Sequence, residues 1–281
     1  MKERALGRTR ASVPVVGQGT WDMEKADAAE ATRALLAGLD AGMTHVDTAE
    51  MYGSGRVEQW LGQAFGSRRD EVFLASKVLP SNASRRGTLA ACERSLKRLA
   101  TDHLDLYLLH WPGEHPLADT IAAFEELRAA GKVRHYGVSN FDARELREAV
   151  RLAPEGRIAC NQVLYHLEER TIEHRVLPTC RELGVTLVAY SPFGSGRFPG
   201  PRTKGGKVLA EIAERRGVSA HAIALAFLLR LEGVVAIPKA AKADHVLANA
   251  AAGELVLTPD EIERIDAVFP LGPEPASLPT I

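Results

Sequence analysis

Short runs of apolar, β-favouring residues recur along the chain, and each is followed by a stretch whose apolar positions repeat with helical spacing. Eight such runs stand out: "VPVVGQG", "MTHVD", "EVFLASK", "LDLYLLH", "VRHYGVS", "IACNQV", "VTLVAYS" and "GVVAIPK". Several are apolar almost throughout, the pattern of strands buried on both faces, so parallel strands are expected rather than hairpins. Helices are predicted between and after them over 27–42, 56–65, 88–99, 120–131, 142–150, 171–184, 205–217 and 242–250. Asp142 is placed to cap the fifth, and Gly42, Gly131 and Gly184 fall where helices should stop before the next strand. One more helix is predicted over 258–269, with Thr258 as N-cap, Pro259 first and Glu261 third. No linker, compositional break or low-complexity segment interrupts the alternation. The pattern therefore predicts an α/β fold of one domain spanning 1–281, a closed (β/α)₈ TIM barrel with an extra C-terminal helix and a short Pro-rich tail. An open, doubly wound sheet is the alternative architecture.

Composition narrows the partners. Lysine and arginine number 35 against 36 acidic residues, which gives no electrostatic reason to expect nucleic acid or an anionic membrane. A small molecule is the expected partner, and without coiled-coil heptads a monomer is the default. Cys92, Cys160 and Cys180 are few, odd in number and far apart, which fits buried thiols in a reducing compartment and neither a disulfide framework nor a metal site. The N-terminal "MKERALGRTR" is too polar for a signal peptide, and the longest apolar run, "AIALAFLL", is far shorter than the roughly 20 residues that span a bilayer. A soluble cytoplasmic protein is expected.

Reactive side chains gather where each strand ends and its loop begins, the face on which such barrels build their sites. Asp47 ends the second strand and Tyr52 follows in its loop; Lys77 ends the third and His110 the fourth; Ser139 and Asn140 end the fifth, Asn161 and Gln162 the sixth, with Tyr190 and Lys239 completing the circle. Each alone has an ordinary structural explanation, as a cap, a packing residue, a solvated charge or a satisfied core histidine. Together they suggest more. Lys77 follows an apolar strand, so its ammonium should start inside the barrel mouth and needs an anion there, for which Asp47 is the candidate. A tyrosine beside that lysine becomes easier to ionise, because the cation stabilises the phenolate. A phenol and an imidazole placed over a carbonyl would stabilise its developing negative charge and supply a proton, which is general-acid chemistry in need of a hydride. Neither GxGxxG after the first strand nor a Walker-type loop is present to hold a dinucleotide. Asn140 and Gln162 could instead bind a carboxamide, Tyr190 could stack on a flat ring, and Lys239 could meet a phosphate.

The ordered series "GQGTW", "DTAEMYGS", "LASKV", "DLYLLHW", "GVSNF", "NQVLYH", "AYSPFG" and "AIPKA" resembles the aldo-keto reductase family over essentially the full length. The resemblance implies a (β/α)₈ barrel that binds a nicotinamide cofactor, usually NADPH, extended and without a Rossmann domain. It implies a catalytic tetrad of Tyr52 as proton donor, Asp47 and Lys77 tuning its acidity, and His110 orienting the carbonyl. It also implies Ser139, Asn140 and Gln162 on the carboxamide, Tyr190 under the nicotinamide, and Gly19, Thr20 and Trp21 along that end of the cofactor. Ser191 with the following Pro192 and Gly194 would lie near the pyrophosphate, and Lys239, Ala240, His245 and Asn249 near the adenosine phosphate. Ala240 stands where the family often has serine, His245 where an arginine usually clamps the 2′-phosphate, and Ala248 where an acid is frequent, while Asn249 matches. NADPH is the expected cofactor, with weakened preference and NADH possible. Within the family the motifs look most like the short bacterial reductases of 2-oxoaldehydes such as methylglyoxal. The expected substrate wall is Trp21, Tyr52, His110 and Trp111, with the loops "LPSNASRRG" and "PFGSGRFPG" and the tail from Leu271 around it.

Carbonyl reduction is the first expectation. A cofactor-binding, redox-sensing or regulatory module with little turnover is the alternative, since some members of the family serve as channel subunits. A barrel hydrolase or isomerase using Asp47 and Glu50 as paired carboxylates is a third, which would leave Lys77, the amides and the tyrosines without a task.

Overall fold

The computed structural model describes all 281 residues, and its main sheet of eight parallel strands curls until the two outer strands meet. An antiparallel hairpin of β1 (Glu3–Ala5) and β2 (Ser12–Pro14) comes first. The barrel strands follow as β3 (Gln18–Gly19), β4 (His45–Asp47), β5 (Phe73–Val78), β6 (Leu104–Leu109), β7 (Val133–Ser139), β8 (Ile158–Leu164), β9 (Thr186–Tyr190) and β10 (Val234–Ala236), each paired with the next. Parallel bridges Val16–Ala236 and Gly19–Lys239 join last to first, with the Gly17 N–H donating to the Ala236 carbonyl at 2.8 Å and Gly19 N–H to Pro238 at 3.0 Å. The fold is thus the expected (β/α)₈ barrel, and the open sheet is excluded. Closure removes the exposed edges that an open sheet would have to protect.

The helices are α1 (Ala28–Asp40), α2 (Arg56–Phe65), α3 (Arg85–Leu99), α4 (Leu117–Ala129), α5 (Ala143–Leu152), α6 (Val176–Leu183), α7 (Lys204–Arg216), α8 (Ala220–Leu229), α9 (Ala243–Ala252) and α10 (Pro259–Val268). Asp142 and Thr258 form the expected capping boxes with Glu145 and Glu261. Gly184 caps α6 in the left-handed conformation. No helix is long and apolar enough to cross a membrane.

Two expectations are corrected, and one helix is added to those predicted. "VPVVGQG" is not one strand: Val13 and Pro14 belong to the hairpin, and only Gln18–Gly19 enters the barrel ladder. Its valines form an unbroken apolar stretch because Val13 plugs the barrel while Val15 and Val16 pack elsewhere in the core, so periodicity cannot show where the chain changes layers. "AIALAFLL" forms most of α8, a second helix after β9, with every residue from Ala222 to Leu229 buried and Ser219 capping the N-terminus. A helix apolar all round lacks the amphipathic repeat by which helices are recognised. The predicted helix over 171–184 is a single tight turn at Thr171–Glu173 followed by α6.

Two cores result. One of 65 buried residues lies largely between strands and helices. The other, of ten, lines the barrel interior: Ala75, Leu106, Leu108, Ala159, Cys160, Val188, Val235 and Ile237, closed at the bottom by Leu6 and Val13 of the hairpin. Because side chains alternate along a strand, the residue two beyond an inward position on β5, β6 or β9 also faces the interior, one layer higher. That step carries β5 from Ala75 to Lys77, β6 from Leu108 to His110 and β9 from Val188 to Tyr190, and β4 rises likewise from His45 to Asp47. The apolar plug therefore fixes the height at which the polar residues emerge.

Candidate active site

Asp47 and Lys77 form a buried ion pair across the adjacent strands β4 and β5, Nζ to Oδ1 at 2.6 Å. The lysine is fully buried, and all three donors of its ammonium have acceptors: Asp47, the Thr48 carbonyl at 2.8 Å and the Tyr52 hydroxyl at 3.1 Å. A buried charge so completely partnered is far less costly than an orphan. The second Asp47 oxygen accepts from Gln162 Nε2 at 2.8 Å, and its backbone carbonyl accepts from Thr20 at 2.8 Å. Asp47 thus holds the lysine, a barrel amide and the end of β3 at once.

Tyr52 reaches this cluster through a turn with three successive residues in the left-handed region: Gly53 at φ 54°, Ser54 at φ 56° and Gly55 at φ 86°. Glycine adopts that conformation without a Cβ penalty, and Ser54 shares it. The Tyr52 ring packs edge-on against Trp21 at 5.2 Å and His110 at 6.0 Å between centroids.

Charge at the site follows from burial and from Lys77. Burial pushes the Tyr52 phenol above its ordinary pKa, and the Lys77 ammonium pulls it back only in part. The expected ease of ionisation is therefore a partial offset to burial, and the phenol is held protonated. For Lys77, burial acts to lower the pKa, but the Asp47 carboxylate and Tyr52 outweigh it and the net direction is up. Burial, with the nearby Lys77 charge, pushes His110 down to about 2, so its imidazole is neutral. Its Nδ1 has no hydrogen-bond partner.

A cleft of about 550 Å³ opens over these groups, lined near its floor by Asp47, Tyr52, His110, Ser139, Asn140 and Gln162. Gly19, Thr20 and Trp21 form one wall, Tyr190, Ser191 and Pro192 another, with Trp111 at the rim and Lys239 also on the lining. Asn140 sits at φ 60°, donates to the His110 carbonyl at 3.1 Å and accepts from the Tyr190 hydroxyl at 2.9 Å. Ser139 donates to the Gln162 carbonyl at 2.9 Å.

Not every expected residue comes to this cleft. Lys77 lies just beneath the lining, and Gly194, Ala240, His245 and Asn249 are not on it. Asn249 is buried on α9, and His245 lies in the first turns of the same helix, close enough to His221 to influence its charge. No residue of "LPSNASRRG" lines the cleft either. That loop is held away by Glu50, whose carboxylate accepts from Leu79 N–H at 2.8 Å and Asn82 Nδ2 at 2.9 Å and faces Arg94 at 3.5 Å. Glu50 is thereby committed to the loop and is unavailable as one of a pair of reacting carboxylates.

Met51, Phe193, Ile237 and Ile281 also line the cleft. Ile237 was legible as the next inward position after Val235, and Phe193 lies in a loop already expected at the rim. Ile281 carried no local signal. Its position depends on the return of the tail, held by an Arg175–Glu274 ion pair and by Leu278 packing on the main core.

Comparison with known proteins agrees with this architecture. A sequence model of the Aldo/keto reductase family matches residues 15–269. The chain is 45% identical over 262 residues to methylglyoxal reductase YeaE of Escherichia coli K12, covering 92% of each protein. It is 35% identical to glyoxal reductase of Bacillus subtilis, over 95% of this chain and 94% of that one. An aldo-keto reductase from Klebsiella pneumoniae solved in complex with NADPH superposes with a TM-score of 0.92 at 40% identity, over the whole of both chains. The closed barrel, the order of the strand-end motifs and these matches together show that the chain belongs to the aldo/keto reductase family.

Proposed function

We propose that this protein is a single-domain, NADPH-dependent reductase of small aldehydes and activated ketones, with Tyr52 as general acid. The observation that carries the assignment is the Tyr52 hydroxyl in contact with a fully buried Lys77 that is itself paired to Asp47.

The cleft suits an extended dinucleotide. Its lining runs from Thr20 and Trp21 past the Tyr190 ring to Lys239, whose ammonium has no carboxylate within ion-pair distance. Gln162 uses its amide nitrogen on Asp47 and leaves its carbonyl oxygen without a protein donor, so it can accept from a carboxamide. Ser139 and Asn140 border the same place, and Tyr190 offers its face to a flat ring. A nicotinamide cofactor bound there supplies a hydride to the carbonyl carbon.

The residues of the chain do the rest. Tyr52 and His110 present two neutral donors to the carbonyl oxygen, where negative charge grows as the hydride arrives. Tyr52 then transfers its proton to that oxygen and completes the alcohol. Phenolate forms only at that moment, and Lys77, already aimed at the hydroxyl oxygen, stabilises it without reorganisation. Burial keeps the proton on Tyr52 until it is needed, and the ammonium makes its departure feasible.

Trp21, Trp111, Met51, Phe193 and Ile281 give the mouth an apolar rim suited to small carbonyl compounds. The relatives named for methylglyoxal and glyoxal reduction point to 2-oxoaldehydes as the first substrates to try. Three free, buried cysteines accord with a cytoplasmic setting, and we take the active unit to be the monomer. The test is to follow NADPH oxidation with methylglyoxal, benzaldehydes, sugars and keto esters. Turnover with an activated carbonyl is expected; tight NADPH binding with no carbonyl reduced would favour a sensing or regulatory module instead.

A further inference from the structure

The end of the barrel opposite the active site holds a second concavity. It lies where the β1–β2 turn, the C-terminus of α4, the start of β7 and the loop before β8 converge, and its volume is about 420 Å³. Arg8, Arg10, Arg128, Arg134 and Arg157 contribute to its walls together with His135, and Glu155 is the one carboxylate among its ten lining residues. In a chain of net charge −1, five guanidinium groups around one hollow are a local departure from the rest of the surface.

Their pairing is incomplete. Of the five, only Arg134 hydrogen-bonds to protein through its side chain, donating to Asp105 at 2.8 Å. Arg8 stands 3.6 Å from Glu155 and Arg157 3.6 Å from Glu125, both ion pairs without a hydrogen bond. Glu125 is also engaged by the Tyr136 hydroxyl at 2.6 Å. Arg10 and Arg128 have no carboxylate within 4.0 Å. The Arg157 contact runs through Nε, which is shielded from solvent and faces Glu125 beyond hydrogen-bond distance, so no N–H of its guanidinium is hydrogen-bonded to protein. The guanidinium groups of Arg8, Arg10, Arg128 and Arg157 therefore keep N–H donors that an incoming anion can engage.

We propose that this hollow is a binding site for a small polyanion of the polyphosphate type, held by Arg10, Arg128 and Arg157 with Arg8 and Arg134 at its sides. Guanidinium forks match phosphate oxygens in pairs, and several converging on one concave site favour an anion with more than one charged group over a simple halide. The walls rise from four segments, so the site suits a compact ligand that enters the hollow rather than an extended one lying on a flat surface.

Isothermal titration of inorganic tripolyphosphate into protein saturated with NADP⁺ tests the proposal, since the cofactor fills the active-site cleft. One tripolyphosphate per chain is expected, with affinity at least tenfold weaker in Arg10→Gln/Arg128→Gln and reduced in Arg157→Lys, which keeps the charge but removes the guanidinium fork. Carbonyl reduction should be unchanged in both variants. Absence of binding, or affinity unaltered in the double variant, would overturn the site; loss of turnover together with binding would place the anion in the active-site cleft and overturn it equally.

Discussion

A phenol can serve as a proton donor only if it holds its proton in the resting enzyme and can release it during reaction, and the role proposed for Tyr52 rests on two opposing influences on one oxygen. Burial raises the Tyr52 pKa, while the Lys77 ammonium at 3.1 Å favours the phenolate. The sequence revealed the second influence, because a lysine ending an apolar strand demands an acid and leaves charge to spare. It could not reveal the first, since the packing of Trp21 and His110 around the ring joins residues from three separate loops. The same limit applies to His45, which is buried with both ring nitrogens unpartnered and a pKa pushed down to about 4 by burial. The folded state keeps His45 neutral where the unfolded chain would take up a proton. Its contribution is complete above the ordinary histidine value and is lost as pH falls toward 4, at about 1.4 kcal/mol per pH unit. His110 acts in the same direction over a wider range. Thermal stability should therefore drop between pH 7 and pH 5, and His45→Leu should make that drop shallower. An identical slope in the variant would show that His45 is not held neutral.

Among the elements, those with a clear period were the legible ones. Strands and amphipathic helices declared themselves, and so did the caps at Asp142 and Thr258. What stayed hidden was α8, whose faces are all apolar, and the division of the first apolar run between the hairpin and the barrel. Glu50 belongs to this scale. It reads as an unassigned polar residue beside Asp47, yet it ties the β4 loop to the segment after β5 through Leu79 and Asn82. Removing it leaves two donors without an acceptor in a partly buried setting. Glu50→Ala is expected to destabilise the fold by about 1–2 kcal/mol, seen as a lower denaturant midpoint with an unchanged m-value. The KM for the carbonyl should stay as it is, because the loop does not reach the cleft. A lower kcat with normal stability would instead give Glu50 a part in the chemistry.

For the whole molecule, closing the sheet brings residues from β3 through β10 to one opening, and this is why a site spread over more than 200 positions could be read from strand ends. The adenosine end was less legible, since Ala240, His245 and Asn249 lie off the cleft lining and only Lys239 reaches it. If His245 occupies the place of a phosphate clamp, His245→Arg should sharpen the preference for NADPH over NADH by about tenfold, the worth of one charge-assisted hydrogen bond. An unchanged ratio of kcat/KM would move the 2′-phosphate elsewhere. The central claim is that Tyr52 delivers the proton under the control of Lys77 and Asp47, and it is tested most directly by the kcat of Tyr52→Phe with NADPH and methylglyoxal. That substitution keeps the ring between Trp21 and His110 and removes only the hydroxyl. A fall of about 10²- to 10⁴-fold in kcat with NADPH binding preserved is predicted; a kcat equal to that of the parent would contradict the assignment.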